Sequence, residues 1–316
     1  MLAGVASAIL SCLGPAMAAE PIFTERFDDE AGRLEPVLKR WSVSSGLDSA
    51  LRTDRIRLMT DAGGLRFVRI SVQEGDAWDA PAHANRADRA FVCSKDGSIA
   101  GQFADDAPNE RVELQVRADR RTGAGELVRF GETVWYRFSF RVPDSGLRDQ
   151  PVTGRSACRT VIHQIKQNAS KNGKSCGISP FLKIEAQPVG AGFTLFAQIA
   201  SGQACGEEAA VKRTRLCEIK SLANDVWTDV HMRLLPAQDE GGRLTMWVNG
   251  QLCGSYAGPM GDGVNGVRRN GAPFVDTQPR FGIYRDWRAE TQSIDLRRIM
   301  FWNDDPAEHP DWVKAP

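Results

Sequence analysis

The sequence lacks the features that mark membrane-spanning, nucleic-acid-binding and zinc-binding proteins. None of its apolar runs is long and unbroken enough to read as a transmembrane helix. Its 40 Lys and Arg residues equal its 40 Asp and Glu residues, so no overall charge favours nucleic acid or an anionic membrane. No Cys or His cluster has the spacing of a zinc site. We therefore expect no nucleic-acid partner, no membrane partner and no catalytic metal.

The first 18 residues differ in character from the rest of the chain. They form a short apolar run, broken by Pro15, that ends in the small-residue pattern Ala16, Met17, Ala18. This pattern is typical of a secretory signal, although the usual basic residues at its start are missing. We predict a signal peptide over residues 1–18 and a secreted or periplasmic protein. No linker or low-complexity segment divides residues 19–316, so we expect one domain and a monomer.

Cysteine usage agrees with export. After the predicted signal the chain has an even number of cysteines: Cys93, Cys158, Cys176, Cys205, Cys217 and Cys253. In an exported protein this number fits up to three disulfide bonds, although the sequence does not fix their connectivity. We take the pairs Cys158–Cys176 and Cys205–Cys217 as the working assignment, because each would close a loop beside a predicted strand.

From residue 109 onward the pattern is almost wholly strand and turn, with hardly any helical periodicity. Short runs of alternating apolar and polar residues are separated by turn residues, such as the Asn249-Gly250 pair between two strands. This pattern predicts an all-β fold, a two-sheet antiparallel β-sandwich of the concanavalin-like jelly-roll kind. Such a sandwich commonly presents one concave sheet as a groove for an extended polymer.

The stretch at residues 109–117 (NERVELQVR) alternates strictly. Its polar side chains are Arg111, Glu113, Gln115 and Arg117, and its apolar ones are Val112, Leu114 and Val116. A period of two predicts a strand with one face in a core and the other open. An open face with charges of both signs and an amide suits a polar, extended ligand, although a solvated strand face gives the same pattern.

Three short motifs, in order along the chain, resemble those of a known enzyme group. They are Arg111-Val112-Glu113-Leu114, Gln164-Ile165-Lys166 and Arg280-Phe281-Gly282-Ile283-Tyr284. The chain resembles the polysaccharide lyases with a concanavalin-like jelly-roll fold, which include heparin lyase I-like, glucuronan lyase-like and alginate lyase-like enzymes. In that group the strands carry Arg-x-Glu-Leu, Gln-x-His and Lys-x-Gly-x-Tyr. Lys166 therefore replaces a histidine and Arg280 a lysine, within a resemblance that covers roughly residues 105–302.

The resemblance implies β-elimination at a uronic acid, without a cofactor, on an anionic polysaccharide or oligosaccharide. Arg111 and Gln164 are the candidates for neutralising the uronate carboxylate, since planar donors suit it. Tyr284 is the candidate acid and also a candidate base, because nearby cations favour a phenolate. Lys166 or His163 would assist the proton transfer.

The candidate substrate-binding residues are Glu113, Gln115, Arg117, Arg280, Asp286 and Trp287. Within this set, Glu113 is expected to hold Arg111 or Arg280 by an ion pair, and Trp287 to stack on a sugar. The position of His163 stays open. If Gln164 faces the groove, strand alternation turns His163 into the core, and a β-bulge would reverse this.

Three other functions fit parts of the pattern. A retaining glycoside hydrolase on the same fold would need a Glu-x-Asp-x-x-Glu strand, which the sequence lacks. A noncatalytic carbohydrate-binding protein would use the same groove and cations without proton transfer. A purely structural exported protein would make the three motifs a coincidence.

Asp304 and Asp305 form an acidic loop that could hold a structural calcium ion.

Overall fold

The computed structural model of the chain describes residues 18–28, 33–45, 54–73, 76, 109–116, 127–143, 160–171, 174–176, 180–189, 191–202, 211–261, 268–269, 272–273, 276–286 and 291–312. Within these residues, the strands are numbered β1 to β18 in chain order, and one short helix, α1, spans Leu34–Arg40. No described helix is long and apolar enough to cross a membrane. The predicted signal peptide lies almost wholly outside the described residues.

Most strands belong to two antiparallel sheets. The back sheet contains β1 (Phe23–Glu25), β3 (Ile56–Thr60), β4 (Arg66–Val72), β6 (Val134–Arg141), β12 (Thr228–Leu235), β13 (Arg243–Val248), β14 (Gln251–Ala257) and β18 (Gln292–Trp302). The front sheet contains β2 (Trp41–Ser45), β5 (Asn109–Val116), β7 (Thr160–Lys171), β8 (Lys174–Cys176), β9 (Leu182–Val189), β10 (Gly192–Ser201), β11 (Lys212–Ala223) and β17 (Asp276–Asp286). A small separate pair is formed by β15 (Arg268–Arg269) and β16 (Ala272–Pro273).

The two large sheets pack face to face through alternating side chains. Val112 and Leu114 of β5 are fully buried, as the alternation in residues 109–117 predicts. The rings of Phe138 on the back sheet and Phe281 on the front sheet lie 5.2 Å apart, edge to face, in the middle of this core. Burying one such side chain stabilises the fold by roughly 1.5–3 kcal/mol. The prediction of a two-sheet antiparallel jelly-roll sandwich is confirmed.

The order of strands in the front sheet brings the three sequence motifs together. The order is β11-β10-β9-β7-β17-β5-β2, so β17 lies between β5 and β7 although it comes more than 100 residues after either. Both neighbours pair with β17 in antiparallel register. The motif residues of the three strands therefore share one surface, the side of the front sheet that faces away from the back sheet. We call this surface the polar face.

One disulfide joins the two sheets at their edges. Cys217 on β11 and Cys253 on β14 have sulfur atoms 1.99 Å apart and Cα atoms 5.6 Å apart. The prediction of disulfide bonding is confirmed, but the pairing of Cys205 with Cys217 is wrong. Cys217 pairs in register with the buried Ala197, which turns its sulfur toward the other sheet. The pairing of Cys158 with Cys176 falls outside the side chains that the structure describes.

Candidate active site

The polar face collects its functional groups by register. Arg280 on β17 lies opposite Gln115 on β5 and opposite Gln164 on β7. Four residues after Arg280 along β17, Tyr284 lies opposite Arg111, and two residues before Arg280, Gln278 lies opposite Lys166. Neighbouring strands are about 4.8 Å apart, so these side chains are direct neighbours on one surface.

Gly282, between Arg280 and Tyr284, lets two backbones approach closely. It pairs with Glu113 in register and has a φ of +148°, a conformation that L side chains rarely adopt. A Cβ atom at this position would lie 2.3 Å from the Val112 carbonyl oxygen and 2.6 Å from the Glu113 Cα. The pairing of β17 with β7 is irregular at the same place, between Phe281 and Tyr284. The glycine is therefore required by the packing of the strands themselves.

Glu113 is the buried anion of the site. Its side chain is almost fully buried, and its carboxylate accepts a short hydrogen bond from the Gln164 amide. The other carboxylate oxygen lies 3.6 Å from an Arg280 guanidinium nitrogen. Burial raises the pKa of Glu113, while Arg280, the bond from Gln164 and Arg111 act in the opposite direction. Glu113 thus ties Gln164 and Arg280 together, which matches its expected role as an ion partner.

Arg280 is held from three sides. Besides Glu113, its guanidinium donates hydrogen bonds to the Ser44 hydroxyl at 3.2 Å and to the Gln278 side-chain oxygen at 2.6 Å. Only 7 % of the residue is exposed. A guanidinium fixed in this way presents a rigid, planar positive charge to a ligand on the polar face.

Arg111 and Tyr284 form the second half of the site. The Arg111 guanidinium carbon lies 4.9 Å from the centroid of the Tyr284 ring, within the range of a cation–π contact. Both side chains are half-buried. The phenol expected to transfer a proton therefore lies directly beside the cation expected to bind the carboxylate.

Lys166 lies at the other end of the cluster, half-buried opposite Gln278. Burial lowers its pKa, the positive charges of Arg280 and Arg111 lower it further, and Glu113 raises it. A lysine in such surroundings loses its proton more easily than one in water. This property is what a lysine in the usual histidine position would need in order to act as a base.

His163 lies in the core and not on the polar face. It is fully buried and stacks on Phe281, with ring centroids 4.4 Å apart. Its Nδ1 is 2.9 Å from the Arg280 carbonyl oxygen and its Nε2 is 3.1 Å from the Tyr136 hydroxyl. Because a carbonyl only accepts, Nδ1 carries the proton, and Nε2 is an acceptor facing the Tyr136 hydroxyl, which also lies 2.9 Å from the Met232 sulfur. Burial lowers the pKa of His163 to about 3, so it is neutral.

This position removes His163 from direct contact with a ligand on the polar face. It follows the strand alternation with Gln164, and the irregular pairing of β7 does not turn the ring outward. The imidazole instead holds the backbone of Arg280 from below. A role in transferring protons to a bound sugar is therefore not open to it.

Of the remaining candidate residues, the structure describes some and not others. Gln115 lies on the polar face, half-buried beside Arg280. Asp286 ends β17, although its side chain is not among those described, and Arg117 and Trp287 lie outside the described residues. In the acidic loop, Asp305 accepts a hydrogen bond from the backbone of Ala307. Within the described part of the chain, no group of three or more metal-binding side chains is close enough to hold an ion.

Sequence reasoning did not single out several residues of the polar face. Gln278 and Ser44 hold Arg280, and Lys183 on β9 lies next to Gln164 in register. The alternation of Leu182, Lys183 and Ile184 marks Lys183 as a residue of the polar face. Its position beside Gln164 on β7, however, could be known only from the order of the strands in the sheet.

The chain belongs to the class of jelly-roll sandwich proteins, with Arg, Gln, Lys and Tyr side chains clustered on one polar face. The sequence profile of one family of that class, described as polysaccharide lyase, matches residues 70–302. The chain belongs to this polysaccharide lyase family. A comparison with curated protein sequences finds no significant match.

The chain is similar to several solved structures. An endo-β-1,4-glucuronan lyase from the fungus Trichoderma reesei superposes with a TM-score of 0.51 at 13% identity, over 91% of this chain and 99% of that one. The alginate lyase Aly36B gives a TM-score of 0.47 at 9% identity, over 88% and 95%. A PL-14 alginate lyase from Aplysia kurodai gives 0.46 at 9% identity, over 90% and 99%. The likeness to the glucuronan lyase supports the jelly-roll architecture.

Proposed function

We propose that this polysaccharide lyase cleaves a uronic-acid-containing polysaccharide by β-elimination on the polar face of the front sheet. The observation that carries the proposal is the contact between Arg111 and Tyr284, 4.9 Å apart, beside the cluster of Gln164, Glu113 and Arg280. This arrangement combines fixed carboxylate-binding groups with a phenol on one surface. The binding of an anionic sugar and the transfer of protons can therefore take place together.

In the proposed reaction the uronate carboxylate binds Arg111 and Gln164, and its neutralisation lowers the barrier to removing the C5 proton. Gln164 donates one N–H to Glu113 and has a second for the substrate. A base takes the C5 proton, the electron pair forms the C4–C5 double bond, and the bond from C4 to the leaving oxygen breaks. Tyr284 donates a proton to that oxygen.

The base is assigned to Lys166 or to Tyr284. Lys166 is supported by its lowered pKa and by its place on the polar face opposite Gln278. His163 is left out because it is buried beneath Arg280. The two assignments predict different effects of replacing Lys166 by arginine, which are developed below.

Ultraviolet absorbance during incubation with glucuronan, alginate and heparin-type polymers tests the proposal. Cleavage of any of them creates an unsaturated uronate, whose conjugated double bond raises the absorbance. Tyr284→Phe is expected to abolish this rise while keeping the polymer bound, because the ring and its contact with Arg111 remain. Retention of a polymer by the wild type without any rise in absorbance would contradict the elimination and leave carbohydrate binding as the function.

We also propose that the protein is exported, with removal of residues 1–18. The apolar run and the Ala16, Met17, Ala18 pattern support this, together with the disulfide between Cys217 and Cys253. Terminal sequencing of the protein from its native cells tests the cleavage site. A mature protein that still begins at Met1 would contradict it.

A further inference from the structure

A single line of polar side chains crosses the whole front sheet, perpendicular to its strands. It follows directly from the register of six strand pairs. In order from one edge to the other, the line consists of Ser42, Gln115, Arg280, Gln164, Lys183, Gln198 and Arg215. Six strand spacings of about 4.8 Å make it roughly 29 Å long. We call these seven residues the cross-strand row.

The cross-strand row contains three cations, three amides and a hydroxyl, and none of its seven residues is acidic. A second row begins at Arg111 and Tyr284, where Glu113 and Gly282 separate it from the first. It continues through Val161, Glu185 and Phe196 to Glu218, and it lies next to the cross-strand row on β9 and β10. Beyond the candidate active site, an anionic polymer therefore meets positive charge along one row and negative charge along the next. The charge pattern favours a path along the cross-strand row, toward β11.

Arg215, at the end of the row on β11, is placed by an aromatic residue of the neighbouring strand. Its guanidinium carbon lies 4.5 Å from the ring centroid of Phe196 on β10. It also forms an ion pair with Glu218 at 2.7 Å, in which about half of the Arg215 side chain stays exposed. An exposed pair of this kind is weak, so a polymer carboxylate can compete for the guanidinium.

The edge strand that carries Arg215 is anchored to the other sheet. Cys217, two residues after Arg215, is bonded to Cys253 on β14. At the next residue, a Cβ atom on Gly254 would lie 2.5 Å from the Leu216 carbonyl oxygen, so β11 and β14 are in close contact. An edge strand fixed in this way can present a cation at a constant distance from the active site.

We propose that Lys183, Gln198 and Arg215 form a distal anion-binding arm, which holds uronate residues of the polymer several sugars away from the bond that is cleaved. This inference rests on the proposed function, because it takes the cluster around Tyr284 as the place of cleavage. The arm contributes to the affinity for long chains and takes no part in the chemical step. A substrate too short to span from Tyr284 to β11 does not sense it.

Arg215→Gln tests the arm by a comparison of substrate lengths. On the long polyuronate that the enzyme cleaves, KM is expected to rise roughly two- to fivefold with kcat unchanged, as for one half-exposed ionic contact. On a trisaccharide of the same polymer, KM and kcat are expected to stay at the wild-type values. Lys212→Gln is the matched control, because Lys212 is an exposed cation of the same strand whose register partner is outside the row.

Two results would overturn the proposal that these residues form a distal anion-binding arm. One is an equal rise of KM on the trisaccharide and the polymer, and the other is a rise no larger than that of Lys212→Gln. If the wild type cleaves nothing, the proposed reaction fails, and retention of glucuronan and alginate in affinity electrophoresis tests the arm separately. Weaker retention in Arg215→Gln alone would then support it. Equal retention in both variants, or no retention by the wild type, would overturn it.

Discussion

The Glu113 carboxylate on β5 accepts a hydrogen bond from the Gln164 amide on β7, although β17 lies between these two strands. The bond is possible because the residue of β17 opposite Glu113 is Gly282, which has no side chain to block the path. The same carboxylate approaches Arg280 on β17. One buried anion thus fixes two groups of the site that come from different strands.

Replacing Glu113 by glutamine is expected to lower kcat/KM by about 10- to 100-fold, the effect of losing one charged hydrogen-bonding partner. The variant keeps the size of the side chain but removes the negative charge near Arg280. Because the pKa of Glu113 is raised, protonation in the wild type should also reduce activity on the acid side. Measurements of kcat/KM across a pH series should show that the variant lacks the loss of activity that Glu113 protonation causes at acid pH.

Glu35→Gln is the control for this prediction, since Glu35 is an exposed acid of α1 that pairs only loosely with Lys39 at 3.3 Å. It should leave the pH profile unchanged. A Glu113→Gln enzyme with wild-type kcat/KM and an unaltered acid limb would show that the carboxylate does not position the site.

Gly282→Ala is expected to destabilise the fold by about 3 kcal/mol or more, because the new Cβ would collide with the backbone of β5. Gly64→Ala provides the comparison. Gly64 also has a positive φ, +79°, but no atom lies within 4 Å of its Cβ position, so only conformational strain of roughly 1 kcal/mol is expected. Urea unfolding of both variants measures the difference. Equal losses would mean that the backbone contact at Gly282 relaxes without cost.

The alternation of side chains in the sequence was sufficient to place individual residues on the correct side of a strand. It put Glu113 on the polar face, because side-chain direction in a strand depends only on local geometry. For His163 it left two positions open, the core if Gln164 faces the groove and the polar face if a β-bulge intervenes, and the structure shows the core. It did not predict the contact between Glu113 and Gln164. That contact depends on which strand lies between β5 and β7, and this order is decided by pairings between segments far apart in the chain.

The disulfide illustrates the same limit. The working assignment joined Cys217 to a cysteine nearby in sequence, whereas the structure joins it to Cys253, 36 residues away and on the other sheet. The spacing of cysteines does not report which strand edges meet. Cys253 is the partner because the two sheets pack against each other at β11 and β14. The sequence alone carries no signal for that contact.

Removing this disulfide by Cys217→Ser together with Cys253→Ser is expected to lower the free energy of unfolding by about 3–4 kcal/mol. The value follows from the entropy of an unfolded chain whose closed loop spans 36 residues. Denaturant unfolding of the double variant and the oxidised wild type, compared at one pH, provides the measurement. A loss below about 1 kcal/mol would mean that contacts between β11 and β14 hold the edges together without the bond.

His163 makes stability depend on pH. Its pKa falls from the ordinary 6.5 to about 3 on folding, so the unfolded chain binds the proton more readily. The stabilising effect of the neutral ring is therefore complete above pH 6.5 and is lost as pH falls toward 3, by up to roughly 1.4 kcal/mol per pH unit. His163→Gln should be less stable at pH 7 and should show a flatter decline below pH 6.5.

His231 on β12 needs to be separated from this effect, because burial and the nearby Arg137 lower its pKa to about 4. His231→Gln should remove a smaller part of the same decline. Urea midpoints measured from pH 7 to pH 4 for both variants resolve the two contributions. If His163→Gln retains the full wild-type slope, the buried imidazole is not the group that titrates.

Replacing Lys166 by arginine distinguishes the two candidate bases, Lys166 and Tyr284. If its amine removes the C5 proton, only the neutral form is active, and kcat/KM should rise with pH through the lowered pKa of Lys166. The rate should level off below pH 10.5, where an ordinary lysine would lose its proton. Lys166→Arg keeps the positive charge but cannot release it, so activity should fall by about 100- to 10,000-fold. If Lys166 only binds the polymer, Lys166→Arg should retain most of the activity, and Tyr284 then serves as both base and acid.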